Sequence, residues 1–450
     1  MIIYFAVDIT SANQTLFMPG KTSSAHYQIE LACKACHEDP FGGKEALQKS
    51  CVKCHGQKLK RADDKHPKSK FTDPRNAVRV AKLDARYCIT CHVEHKPEIT
   101  ASMDVTVAKD VCYLCHYDIA KNRPSHKGMT FTTCNDAGCH NFHDDRALYE
   151  DFLDKHLDEP ADLTSQVVEQ RSPVTVLVNL GDYPSKRYPL RRLAISDQDA
   201  APALANDQKA LQEWHETAHA KAGVNCSACH AQMNQAKQQV WVAKPTYEVC
   251  KTCHRKEMVG FLEGRHGMRL AQGLSPMTPG LARLPMKADS KNKKLTCVSC
   301  HGAHRFDTVF AAVDACLTCH NDKHSLAYKK SAHFRLWQKE VYGQLPKNSG
   351  VSCATCHLPR EIHKNDGKKI ITTQHNQNDN LRPNEKMLRS VCMYCHGLGF
   401  SIDALADTRL VNTNFVGKPS RHVQSLDMAK RHLSVKRKKG KGGGSSKEKI

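Results

Sequence analysis

The apolar positions of this chain rarely line up into a long face of helical or strand period. The clearest periodic stretches lie between residues 151 and 223. DFLDKHLDEP, 151–160, predicts a helix stopped by Pro160. VTVLVNL, 174–180, is rich in β-branched residues and bounded by turn formers, which predicts a short strand or hairpin. APALANDQKALQEWHETAHAKAG, 201–223, has helical spacing and ends at Gly223. MIIYFAVD, 1–8, is almost wholly apolar, but it lacks a basic flank and is too short to span a bilayer. It reads as the end of a truncated signal or anchor. No other stretch approaches the roughly 18 apolar residues of a transmembrane helix. After Met428, AKRHLSVKRKKGKGGGSSKEKI is basic, Gly-rich and without apolar period, and predicts disorder.

What replaces apolar periodicity is a repeated short motif. Of 22 Cys, twenty fall into ten copies of C-x-x-C-H. In the first half these pair Cys33 with Cys36, Cys51 with Cys54, Cys88 with Cys91 and Cys112 with Cys115. In the second half they pair Cys226 with Cys229, Cys250 with Cys253, Cys297 with Cys300, Cys316 with Cys319, Cys353 with Cys356 and Cys392 with Cys395. The motif histidines are His37, His55, His92, His116, His230, His254, His301, His320, His357 and His396. The last two cysteines stand in CNDAGCH, where Cys134 and Cys139 are four residues apart and His140 follows. No cysteine is left over, so this stretch reads as an eleventh site whose Asn, Asp and Gly suit a bulged loop.

C-x-x-C-H reads as c-type haem attachment. Two thiols one turn apart can add to the two vinyl groups of a porphyrin, and the adjoining His supplies an axial nitrogen to iron. Structural zinc needs two C-x-x-C pairs per metal and explains neither the odd count nor the trailing His. Disulfides do not explain that His either. With 27 His in 450 residues, eleven such placements by chance have odds of roughly 10⁻¹³. Eleven haem c groups are expected. Such chemistry is completed after export, so a periplasmic or cell-surface location is expected.

The haems change how charge and size are read. Net charge is +21, and alone this suggests nucleic acid. Each haem brings two propionates, so the oxidised protein falls to about +10 and the reduced one to about −1. Nucleic-acid binding is therefore not expected. Eleven sites over 450 residues leave about 41 residues each, too few for a conventional core. Mean hydropathy is −0.57. The expected fold is a multihaem cytochrome c of mainly short α-helices and irregular loops wrapped round a chain of haems, with very little β.

Motif spacing predicts domains. Residues 1–25 form an N-terminal segment, 26–160 a pentahaem domain, 161–205 a haem-free connector, 206–428 a hexahaem domain and 429–450 a basic disordered tail. Eleven haems call for eleven sixth ligands, and sixteen further His are present. His26, His66, His95, His126 and His143 would serve the first domain. His219, His266, His304, His324, His333 and His375 would serve the second, with His156 and His215 in reserve. His95, His143 and His304 stand three residues after a motif His, too close to reach the far side of their own haem. They would ligate a neighbour. HETAH, 215–219, also matches a zinc-peptidase signature, but it lies seven residues before Cys226 and lacks a clear third ligand. No catalytic residue is assigned.

The repeated motifs, the C-H-x-x-H doublets and the C-x4-C-H variant resemble the class III multihaem cytochromes c, over residues 26–143. KKSAHFRLWQKEVYGQLPKNSGVSCATCHLPR and QHNQNDNLRPNEKMLRSVCMYCHGLGFSIDALAD resemble C-terminal parts of the hydroxylamine oxidoreductase, octahaem tetrathionate reductase and multihaem nitrite reductase superfamily. The resemblance implies electron transfer. It does not imply a reaction, because every motif here ends in His rather than the Lys of a nitrite-reductase catalytic haem. The leading expectation is an electron-transfer protein rather than an enzyme, with mostly bis-His haems passing electrons between redox partners outside the cytoplasm. Expected partners are quinol-oxidising or outer-membrane cytochromes, further copies of the chain in an oligomer or filament, and a membrane or partner surface tethered by the basic tail. The alternative is an oxidoreductase acting on nitrite, hydroxylamine or a sulfur oxyanion at one five-coordinate haem. Mass spectrometry of the holoprotein checks the count: eleven haems are expected, and ten would remove Cys134 and Cys139 first.

Overall fold

The computed structural model describes residues 18–39, 41–64, 66–101, 104–123, 126–128, 142–143, 150–163, 183–202, 205–365, 367–381 and 386–442. The expected eleventh site (Cys134, Cys139 and His140) and the expected strand 174–180 lie outside them. Helix makes up about 48 % and strand about 6 %, with no barrel. This is the predicted class of short helices and loops. Two compact units divide the chain. One comprises Met1–Ser165, Arg382–Val411 and Gly417–Ile450, the other Gln166–Leu381 and Asn412–Val416.

In the first unit the helix Lys44–Ala62 carries Cys51, Cys54 and His55. It stops where Asp63 turns left-handed at φ 53° and its N–H reaches back to the Leu59 and Lys60 carbonyls. The neighbouring motifs sit on single turns, Cys33–Ala35, Cys88–Thr90 and Tyr113–His116. The apolar core lies elsewhere in the unit. Leu157, Leu388, Leu398, Ile402, Val423, Leu426 and Leu433 bury one another, with Phe152 and Leu153 against them. The helix that delivers Phe152, Leu153 and His156 is Glu150–His156, inside the stretch predicted to be helical.

Two domain expectations change here. The Cys392 motif belongs to the same compact unit as the first motifs, although the sequence grouped it with the five before it. Leu388 and Leu398 flank it and bury against Leu157, while the Leu163 N–H donates to the Cys395 carbonyl at 2.8 Å. Such a pairing spans more than two hundred residues and leaves no mark on motif spacing. The basic tail differs too. A helix runs from Gln424 to Gly442, because Leu426, Ala429 and Leu433 recur at helical spacing and meet that core.

The second unit holds five motifs between Cys226 and His357. Its described strands are two antiparallel hairpins, Ala231–Met233 with Gln239–Trp241 and Arg360–Asn365 with Lys368–Thr373. Residues 183–202, expected as connector, are integrated into this unit. The Leu193 N–H donates to the Ala220 carbonyl at 2.9 Å, Tyr183 OH donates to Ala222 O at 2.8 Å, and Leu193 buries with Trp214 and Ala220. The predicted helix 201–223 is two helices, Gln208–His215 and Ala218–Lys221. Thr217 caps the second by accepting the Ala220 N–H. The break separates His215 from His219, so HETAH does not form the continuous helix that a zinc peptidase needs. A third cluster joins Ala312, Val313, Leu317 and Tyr328.

Leu398 has no exposed surface. Leu398→Ala should lower stability by about 2–5 kcal/mol, measured as a shifted denaturation midpoint of the holoprotein.

Candidate functional site

Each described motif closes one helical turn. The His N–H donates to the carbonyl of the first Cys, at 2.8 Å for His37 and Cys33, 2.9 Å for His92 and Cys88, and 3.0 Å for His320 and Cys316. The motif at Cys51 lies inside the helix Lys44–Ala62, and those at Cys297 and Cys353 are themselves five-residue helices, Cys297–His301 and Cys353–His357, with the same turn. The spacing of two residues therefore sets both thiols and the imidazole on one turn. Free Cys is among the most buried residue types, yet of the twenty described here Cys319 alone is buried, and Cys33, Cys36 and Cys54 are exposed. That surface is available to a covalent partner. Among the described residues, no three His, Cys, Asp or Glu side chains gather as a metal-holding group.

Opposite eight motif histidines stands a second imidazole. A ligating imidazole nitrogen sits about 2 Å from its metal, so two rings on opposite sides of one iron have centroids roughly 6 Å apart. In the first unit His55 faces His26 at 5.9 Å, His116 faces His66 at 6.1 Å and His92 faces His143 at 6.4 Å. In the second, His254 faces His219 at 6.1 Å, His230 faces His304 at 5.8 Å and His320 faces His266 at 6.4 Å. His301 faces His375 at 6.4 Å and His357 faces His324 at 6.0 Å. The second ring always comes from outside its partner's motif. His143, His304 and His324, each just behind a motif His, meet the His of another motif, as their spacing requires. His304 and His95 reach their positions through left-handed backbone, at φ 62° and 63°.

Electrostatics favours ligation. Burial first, and then the nearby His26, pushes His55 down to about 4. Burial likewise brings His219, His266 and His357 to about 4 and lowers His66, His143 and His304. All seven are thus neutral at pH 7, the form that binds metal. At four of the paired rings Nδ1 is held by backbone. Nδ1–H donates to Phe142 O from His66 (2.6 Å), to Asp104 O from His92 (2.8 Å), to Val242 O from His230 (2.7 Å) and to Thr373 O from His375 (3.0 Å). This arrangement orients the ring and leaves Nε2 for iron. These residues fit haem c. At His324 one adjustment is needed, because Nε2 lies 3.1 Å from the Asn414 amide.

The remaining candidates differ. His95 donates Nδ1–H to Gly20 O at 2.8 Å. His156 donates to Glu159 at 2.6 Å and lies beside Phe152. His333 stands near Phe415 at 6.1 Å, His126 follows the short helix Ile119–Asn122, and His215 ends its helix. Sequence reasoning missed Glu94, which accepts from His26 Nδ1 at 2.6 Å, and Trp241, stacked on His230 at 5.1 Å. Glu94 was visible as the acid inside CHVEH. Trp241 carried no signal.

Neighbouring motifs are neighbours in sequence. Within the first unit Cys36 is within electrostatic range of Cys54, Cys51 hydrogen-bonds Cys88, and Cys91 senses Cys112. Within the second, Cys229 senses Cys253, Cys250 hydrogen-bonds Cys297, Cys300 senses Cys316, and Cys316 hydrogen-bonds Cys353.

Residues 25–117 match the family model of Cytochrome c3. The match supports a multihaem c-type cytochrome. It covers four motifs, implies covalently bound haem c and supports electron transfer through several haems. No solved structure matches the chain. Among the described residues no helix is long and apolar enough to cross a membrane.

His266→Ala should leave haem content unchanged and turn one haem high-spin, seen as a new ferric high-spin band in the visible spectrum.

Proposed function

We propose that the chain is an electron carrier in which eleven covalently attached haems, mostly bis-His, relay electrons between redox partners outside the cytoplasm. The observation that carries this reading is the set of eight opposed imidazole pairs. An enzyme of this chemistry keeps one iron position open for substrate, and a pair of imidazoles closes both. His95, His126 and His333 complete the proposed set of eleven distal ligands, and His156 and His215 stay in reserve. The thiol contacts between successive motifs support a haem relay that follows sequence order within each unit. In that role iron cycles between ferric and ferrous, while the protein sets spacing, ligation and potential.

Cytochromes that oxidise quinol or lie in an outer membrane are the proposed donors and acceptors, in a periplasmic or cell-surface setting. The exposed first motif, Cys33 and Cys36, suits a point of exchange. The basic C-terminal residues suit an acidic partner or an anionic surface.

Electron paramagnetic resonance of the oxidised holoprotein tests the proposal. A low-spin spectrum without nitrite or hydroxylamine turnover is expected. A stoichiometric high-spin ferric signal together with turnover of either compound would overturn the carrier reading and favour an oxidoreductase.

A further inference from the structure

We propose that Glu94 is a positioning residue for the haem held at Cys51 and Cys54, and that its charge lowers the potential of that haem. The inference rests on the haem reading of the Cys51 motif. Glu94 stands between His92 and His95 in CHVEH, and so belongs to the turn of the next motif, Cys88–His92. Its side chain reaches back to the preceding site. Oε1 accepts the Nδ1–H of His26 at 2.6 Å and the Ser23 hydroxyl at 2.8 Å, while Oε2 accepts the Ser23 backbone N–H at 2.8 Å. His26 in turn faces His55 across 5.9 Å.

Several other paired rings are held by neutral acceptors. His66, His92, His230 and His375 donate Nδ1–H to backbone carbonyls. A carbonyl orients the ring. A carboxylate also pushes electron density into it, raises the basicity of the other nitrogen and favours ferric over ferrous iron. Glu94 is a carboxylate that accepts three hydrogen bonds, from the His26 ring, the Ser23 hydroxyl and the Ser23 backbone N–H. Ser23 is buried, at 2 % exposed, so the carboxylate is fixed from both oxygens. One turn thus anchors one haem while its acid tunes the neighbour.

Spectroelectrochemical titration of the holoprotein carrying Glu94→Gln tests this. The Gln oxygen still accepts from His26, so the ring stays oriented, while the charge and the bond from the Ser23 backbone N–H are lost. One component should shift upward by about tenfold in its ferric–ferrous equilibrium, 59 mV for one electron, and one low-spin ferric signal should change with it. Glu98→Gln, at an exposed acid of the same segment, should leave every component in place. Ser23→Ala removes a donor that competes for Oε1, and should move the same component downward. Peptide mapping first establishes the haem adduct on Cys51 and Cys54. An adduct with no shift in Glu94→Gln, an equal shift of all components, or an upward shift in Ser23→Ala overturns the role of Glu94. Absence of the adduct overturns the haem reading of that motif.

Discussion

The rest of the structure depends on the opposed imidazole pair. Each pair joins two points of the chain, from 29 positions apart for His26 and His55 to 74 for His301 and His375. A metal between such rings closes a loop as a crosslink does. In the proposed haem protein the pair must form before the loop is worth closing, and ligation and folding would be one event. This explains how a chain so poor in apolar periodicity acquires long-range order. It also explains why buried rings are tolerated. A neutral imidazole hidden from water needs a partner for each nitrogen, and at His66, His92, His230 and His375 a backbone carbonyl serves Nδ1 and leaves Nε2 for a metal.

The conventional core is correspondingly small and lies where the chain needs closing by side chains alone. In the first unit Leu157, Leu388, Leu398, Leu426 and Leu433 gather the segment after the early motifs, the last motif and the final helix. In the second unit Leu193, Trp214 and Ala220 form one patch, and Val313, Leu317 and Tyr328 another. Outside these patches stand the motif turns, whose described cysteines, with the exception of Cys319, are not fully buried by protein. Porphyrin faces are the apolar surface that suits them, and covalent attachment holds that surface in place whatever the oxidation state.

A relay needs more than close spacing, because equal potentials give no direction. In the proposed relay the ligand class is the same at all eight pairs, so a difference in potential would come from the groups behind the rings. Carbonyl acceptors at His66, His92, His230 and His375 contrast with the carboxylate behind His26. The Cys51–Cys88 contact joins the same two sites that Glu94 links, so in the proposed relay one turn would supply both their proximity and their offset.

The sequence by itself determined the chemistry. C-x-x-C-H is a local instruction: one helical turn brings both thiols and the imidazole together, and that turn is satisfied by its own backbone. The doublets at His143, His304 and His324 were legible for the same reason, since three or four residues cannot carry a ring round to the far face of its own haem. Only tertiary structure decided which imidazole meets which. His26 precedes the first motif yet faces the His of the second, and His375, just before the Cys392 motif, faces His301. The Cys392 motif joined the first unit for the same kind of reason. Its partners, Leu157 and the helix of Leu426 and Leu433, are ordinary apolar residues in a sparse pattern. Nothing in their spacing names the residue they bury against, because burial rewards any apolar neighbour and only the closed chain selects one.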